Sequence, residues 1–238
     1  MSKARPSGFA QFALDGFQIL ERLVDSAACD SLAAELTSLF DLRQASSRRR
    51  IGGIRNLLGK SASVRAIATS PKITSLLSEA ADASVFPVRA TLFDKIAASN
   101  WGVAWHQDVS IAVMEQRETP GFTGWSVKAG VVHVLPPTDL LEGLIALRLH
   151  LDDCEAANGA LKVIPKSHQA GKLSDEEINA CVAAGKPVVC EVRKGGAVLM
   201  RPLLLHSSSA SETPCRRRVL HIEYATSPLP NGLKWLEA

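Results

Sequence analysis

The chain of 238 residues is 46% hydrophobic and 21% charged, a balance that fits a globular protein and excludes disorder as its main state. Its formal net charge is only +3, and no aromatic-studded basic stripe accompanies it, which argues against a nucleic-acid partner. No stretch reaches the apolar length needed to span a bilayer, and the first residues lack the apolar core and cleavage site of a secretory signal; a cytoplasmic protein with no membrane partner is expected.

Cys29, Cys154, Cys181, Cys190 and Cys215 are odd in number, scattered and without a CxxC spacing. They read as reduced thiols. The length allows one sizeable core. We expect a single domain over residues 1–238, with a helical N-terminal portion at about 22–82 packed on a β core at about 85–226.

In chain order, Gly16 to Leu20 reads as a short strand, and Asp25 or Ser26 as the cap of a helix through Leu32, Leu36 and Leu39. The segment SSRRRIGGIRNLLG, residues 46–59, has paired glycines and no sustained period, so it is expected as a loop with Arg48, Arg49 and Arg50 solvated. A helix begins after Ser61 or Ser63 and breaks near Pro71, and another runs from Ile73 to Ala81. Val85 to Phe93 alternates and opens the β portion.

The most informative stretch is LFDKIAASNWGVAWHQDVSIAV, from Leu92 to Val113. In a strand, period-two alternation puts His106 and Asp108 on one side and Gln107 on the other. An imidazole and a carboxylate placed together supply two ligands of a mononuclear metal site. The best third candidate is His206, at the end of the apolar run AVLMRPLLLH. Two histidines and a carboxylate are the facial set of non-heme iron(II) oxygenases, which leaves coordination positions open. Trp101 and Trp105 precede the pair, and Trp125 lies in the turn-rich segment 115–130, expected as a loop; all three are candidate walls of a substrate pocket.

Short strands separated by Gly, Pro and Asn turns dominate the second half. Val131 to Leu135, Ile145 to Leu151, Ala160 to Ile164, Val188 to Val192 and Ala197 to Met200 are predicted strands, with Asn158-Gly159 as a hairpin signal. Ser174 and Glu177 form a capping box for a helix through Val182. The fold class expected is mainly β with flanking helices, an antiparallel double-sheet jelly roll. Finally, Arg216, Arg217 and Arg218 lead into the alternating strand RVLHIEYA. Arg217 shares a side with Val219 and His221, and an arginine turned into an apolar barrel needs an anion; alternation alone does not rank the three.

The segments LFDKIAASNWGVAWHQD, NGALKVIPKSH, RPLLLHSSSA and RRRVLHIEYA together resemble the phytanoyl-CoA dioxygenase family of iron(II)- and 2-oxoglutarate-dependent oxygenases, in the family's order and over roughly residues 85–230. The resemblance implies a double-stranded β-helix in which His106, Asp108 and His206 hold Fe(II). It singles out Arg217 for the distal carboxylate of the co-substrate 2-oxoglutarate, with Ser208 supporting the same carboxylate and Lys95 and Gln107 contributing to the pocket. It also implies dioxygen and a small organic molecule as reaction partners. The carboxylate Asp108 is retained where related halogenases carry a small residue, which favours hydroxylation of an unactivated C–H bond with release of succinate and CO2. Two other readings stay open: a zinc or manganese jelly-roll hydrolase or isomerase, and a non-catalytic small-molecule-binding jelly roll.

Overall fold

The computed structural model describes residues 8–45, 52–96, 100–212 and 216–238. The arginines at 48–50 and Cys215 lie outside them. In chain order the elements are α1 (Ala10–Asp15), β1 (Phe17–Leu20), α2 (Ser26–Ala45), β2 (Gly53–Arg55), α3 (Ala62–Ala68), α4 (Pro71–Ala81) and β3 (Phe86–Lys95). There follow β4 (Val103–His106), β5 (Ile111–Val113), β6 (Thr123–Lys128), β7 (Val131–Leu135), α5 (Thr138–Glu142), β8 (Ile145–His150) and β9 (Leu161–Val163). The chain continues through α6 (Asp175–Ala184), β10 (Val188–Cys190), β11 (Ala197–Met200), β12 (His206–Ser208) and β13 (Arg217–Ala225).

Local signals account for most of these boundaries. The Asp25 carboxylate accepts from the Ala28 backbone N–H at 2.8 Å and so caps α2. Ser61 caps α3 by accepting from Val64. Pro71, which would break a helix interior, sits instead at the first turn of α4, where its missing N–H is not needed. Ser174 and Glu177 close a reciprocal capping box at α6.

The strands form two main antiparallel sheets, ordered β1-β11-β8-β13-β3-β2 and β10-β9-β12-β4, with a smaller sheet β5-β7-β6. This is the jelly-roll architecture. Period-two alternation gives the six-stranded sheet two unlike faces. Ala90, Leu92, Leu147, Leu149, Leu220, Ile222 and Tyr224 point outward and meet Leu32, Leu36 and Phe40 of α2 and Ile73 and Leu77 of α4. Each such buried side chain contributes about 1.5–3 kcal/mol. The Tyr224 hydroxyl donates to the Ala68 carbonyl at 3.0 Å, tying α3 to the sheet. The opposite face of the sheet looks into the jelly roll. Val198 and Met200 of β11 pack there with Leu161 and Val163 of β9 and Cys190 of β10, while the other end of the interior is polar.

Three expectations are corrected. The stretch 46–59 is not wholly loop, because Gly53–Arg55 pairs with β3 as an edge strand. Residues 115–130 contain β6, which pairs with β7 and gives the segment a sheet to join. Asn158-Gly159 does not join a hairpin, since β8 and β9 belong to different sheets. The Asn158 side chain instead accepts from the Glu155 N–H and donates to the Asp153 carbonyl, closing a short 3-10 turn from Ala156 to Asn158.

Candidate functional site

The register of β12 against β4 places His206 directly opposite His106, and the two rings lie 4.1 Å apart at their centroids. Strand β4 ends at His106, so Asp108 falls just past it; its N–H donates to the Pro202 carbonyl at 2.9 Å, which holds the carboxylate beside the rings. Asp108 Oδ1 lies 3.8 Å from His106 Nε2, and Oδ2 lies 3.6 Å from His206 Nε2. One donor atom from each residue falls within 4.8 Å of the others, a spacing that could hold a metal ion.

The other ring nitrogens decide which lone pairs face inward. His106 Nδ1 is 2.9 Å from the Ala104 carbonyl and His206 Nδ1 is 2.8 Å from the Leu204 carbonyl. A carbonyl only accepts, so each Nδ1 carries the proton and each Nε2 turns its lone pair toward Asp108. Burial pushes the His206 pKa down, which keeps the ring neutral. Burial alone would raise Asp108, but His206, His221, His106 and Arg148 outweigh it and hold the carboxyl below its usual range. An ionised carboxylate beside imidazoles that present Nε2 is a donor set that ligates a divalent cation.

A cavity of about 180 Å3 opens over this cluster. At one end stand Lys95 and Arg217, opposite one another on β3 and β13 and both almost wholly buried. Lys95 Nζ donates to the Ser209 carbonyl at 2.7 Å and lies 3.3 Å from Ser208 Oγ. Burial first, and then the Arg217 guanidinium, lower the Lys95 pKa to about 8. Arg217 Nη1 donates to the Gly159 carbonyl at 2.6 Å, while its Nε is buried without a partner. Among the described residues neither cation has a carboxylate in salt-bridge reach. Two buried positive charges with an unbonded donor between them fit a bound carboxylate.

The flanking arginines are accounted for otherwise. Arg216 grips the fully buried Asp94, and Arg218 grips Asp152. Alternation along β13 therefore leaves Arg217 alone of the three facing the cavity, a choice that the sequence pattern did not make.

Trp101 also lines the cavity, with Lys95 Nζ 5.6 Å from its ring centroid. Trp105 and Trp125 do not line it. Trp125 sits on β6 and packs instead on the apolar cluster around Val113, Phe122 and Val134, because the small sheet carries it there. Gln107 is away from the cavity as well. Its Nε2 donates to the Gly171 and Leu203 carbonyls and its Oε1 accepts from the Leu173 N–H, so its amide pins a loop behind the histidines. Arg89, Thr91, Phe93, Arg148, His221 and Glu223 line the cavity too; none was named a site residue from the sequence. The signal for them was period-two alternation, carried along each strand from the residues already placed in the cavity.

Two histidines and a carboxylate thus converge inside a jelly roll beside a buried lysine-arginine pair. Residues 12–219 match the family described as Phytanoyl-CoA dioxygenase (PhyH), and the chain belongs to that family. Among curated protein sequences no significant match is found.

Solved structures share the fold at low identity. AviO1 from Streptomyces viridochromogenes Tue57 is 23% identical, over 97% of this chain and 100% of that one, with a TM-score of 0.69. EctD from S. alaskensis, in a structure with 2-oxoglutarate and 5-hydroxyectoine, is 18% identical over 91% and 74%, with a TM-score of 0.70. SnoK, a non-heme alpha ketoglutarate dependent carbocyclase from nogalamycin biosynthesis, is 12% identical over 99% and 87%, with a TM-score of 0.72. No helix among the described residues is long and apolar enough to cross a membrane.

Proposed function

We propose that this protein is an iron(II)- and 2-oxoglutarate-dependent dioxygenase that hydroxylates an unactivated C–H bond of a small organic substrate. The observation that carries this reading is the convergence of His106, Asp108 and His206 next to the buried, carboxylate-free pair Lys95 and Arg217. His106 and His206 would ligate through Nε2 and Asp108 through its carboxylate. When bound, the iron with 2-oxoglutarate and dioxygen supplies oxidation of a C–H bond, and the co-substrate leaves as succinate and CO2.

The chain's own residues do the positioning. The backbone carbonyls of Ala104 and Leu204 hold both imidazoles in one tautomer. Arg217 Nε and Lys95 Nζ take the distal carboxylate of the co-substrate, with the Ser208 hydroxyl beside them. The Gly159 carbonyl fixes the guanidinium from behind. Trp101 walls the same end and keeps bulk water from it.

The test is an anaerobic titration of iron(II) and 2-oxoglutarate into the protein, read as the visible charge-transfer band of the chelate. The wild-type chain is expected to develop the band and Asp108→Ala to lose both band and succinate release. Full activity in Asp108→Ala would remove that residue from the metal set. Because fold relatives include a carbocyclase, the reaction outcome is read with isotopically labelled dioxygen. Hydroxylation places one labelled oxygen in the product, whereas ring closure or epimerisation places none.

A further inference from the structure

The inner faces of β3 and β13 continue past the Lys95–Arg217 pair in rows two residues apart. Phe93 stands opposite Val219, Thr91 opposite His221, and Arg89 is level with Glu223. Arg148 of β8 lies across from His221, its Nη1 3.1 Å from His221 Nδ1, and Arg55 of β2 lies across from Thr91. Arg55, Arg89, Arg148, His221 and Glu223 all line the cavity that holds the His-Asp-His cluster.

Charge is unbalanced at this end. Arg89 has one neighbouring carboxylate, Glu223, and the carboxylate that acts on Arg148 is Asp108 of the His-Asp-His cluster. Both arginines are buried, and the Nε of each has no hydrogen-bond partner among the described residues. The contact between Arg89 Nη1 and Glu223 Oε1 is 3.5 Å, at the outer limit of a hydrogen bond. Burial, and then Arg217, lower the Arg148 pKa to about 10. Buried guanidinium donors left unbonded are costly, and a further anion would complete this wall.

The co-substrate does not supply that anion. One of its carboxylates is assigned to Lys95 and Arg217 and the other to the metal. Arg89 stands six residues from Lys95, about 20 Å along an extended strand.

We propose that the primary substrate carries a carboxylate, held by the Nε–Nη edge of Arg89 with Arg148 as the second cation, and that Glu223 occupies Arg89 until that carboxylate displaces it. This rests on the reading of the same cavity as an iron and 2-oxoglutarate site. The planar fork of Arg89 matches a carboxylate in two parallel bonds, and binding there leaves the far end of the substrate toward the histidines.

The experiment uses wild type, Arg89→Gln and Glu223→Gln, each loaded with iron(II) and 2-oxoglutarate. Each receives a panel of small carboxylic acids and the matching methyl esters, then dioxygen, and succinate is measured. At least one acid is expected to raise succinate release above the uncoupled rate, with its ester roughly tenfold less efficient or worse. In Arg89→Gln the KM for that acid rises roughly tenfold to a hundredfold, while the chelate band and the co-substrate KM hold. Glu223→Gln removes the competitor and lowers the KM for the acid. Arg89→Lys, which keeps the charge without the fork, gives an intermediate KM and serves if Arg89→Gln does not fold.

The proposal is overturned if esters work as well as acids or if Arg89→Gln leaves the KM for the acid unchanged. It is overturned equally if no acid stimulates a protein whose chelate band forms. A wild-type protein that forms no band overturns the cofactor reading, and the substrate proposal with it.

Discussion

Arg217 concentrates the chemistry of one end of the cavity in a single side chain: one guanidinium nitrogen is committed to Gly159 and another is buried with nothing to bond. Lysine at this position keeps the charge but loses the planar fork whose separate nitrogens face Gly159 and the carboxylate. Arg217→Lys should therefore raise the co-substrate KM roughly tenfold to a hundredfold, the worth of one to two charge-assisted bonds, measured by succinate release. His150 presents the opposite case. It is buried with both ring nitrogens unpartnered, and burial, then Arg148 and Arg217, depress its pKa from 6.5 to about 3. The unfolded chain binds a proton below pH 6.5 that the folded chain refuses until about pH 3. Stability is thus lost as pH falls through that window, by about 1.4 kcal/mol per pH unit for this group. Replacing it, as His150→Leu, should flatten the acid limb of a urea-midpoint series and leave the midpoint at neutral pH little changed.

At the scale of elements, the turn between β8 and β9 does more than reverse the chain. Gly159 adopts a φ of +79°, and a Cβ there would meet the Ser209 carbonyl at 2.5 Å and Lys95 Nζ at 3.3 Å. The same residue lends its carbonyl to Arg217. The turn is therefore one wall of the proposed co-substrate cradle, and its left-handed backbone lets two neighbouring strands close on the lysine. Gly159→Ala should cost about 1–3 kcal/mol in a denaturant melt and weaken co-substrate binding by displacing Lys95 and Arg217 together. Sequence reasoning reached Gly159 only as a turn former. Nothing local in Asn-Gly says that its carbonyl will meet a guanidinium 58 residues later.

Across the whole molecule, one sheet carries two unlike surfaces, and the sequence was legible on each to a different depth. The outward face, with Leu147, Leu220 and Ile222 against α2 and α4, follows from alternation and helical spacing alone. Leu36→Ala, at the centre of that layer, should lower stability by about 3 kcal/mol yet leave the co-substrate KM unchanged, as chemical denaturation and succinate assays would show. The inward face was legible where a short-range signal existed. His106 and Asp108 are two residues apart, whereas Arg217 was set apart from Arg216 and Arg218 only by the family resemblance. Arg89, Arg148 and Glu223 were not assigned to the site because their place in it depends on the register of β3, β13 and β8, which are far apart in the chain. Trp125 was misplaced for a related reason: its strand joins a third sheet that only tertiary pairing reveals.

The pairing of His206 with His106 across β12 and β4 also sets the order in which a growing chain becomes able to carry metal. A ribosome must add a hundred residues after His106 before His206, the second imidazole of the set, exists, and eleven more before Arg217 does. Until then the emerging polypeptide holds only two of the three residues of this set, His106 and Asp108, and two ligands hold a divalent metal less firmly than three. A chain cut short upstream of His206 is thus spared from holding a redox metal without the cavity that contains its chemistry.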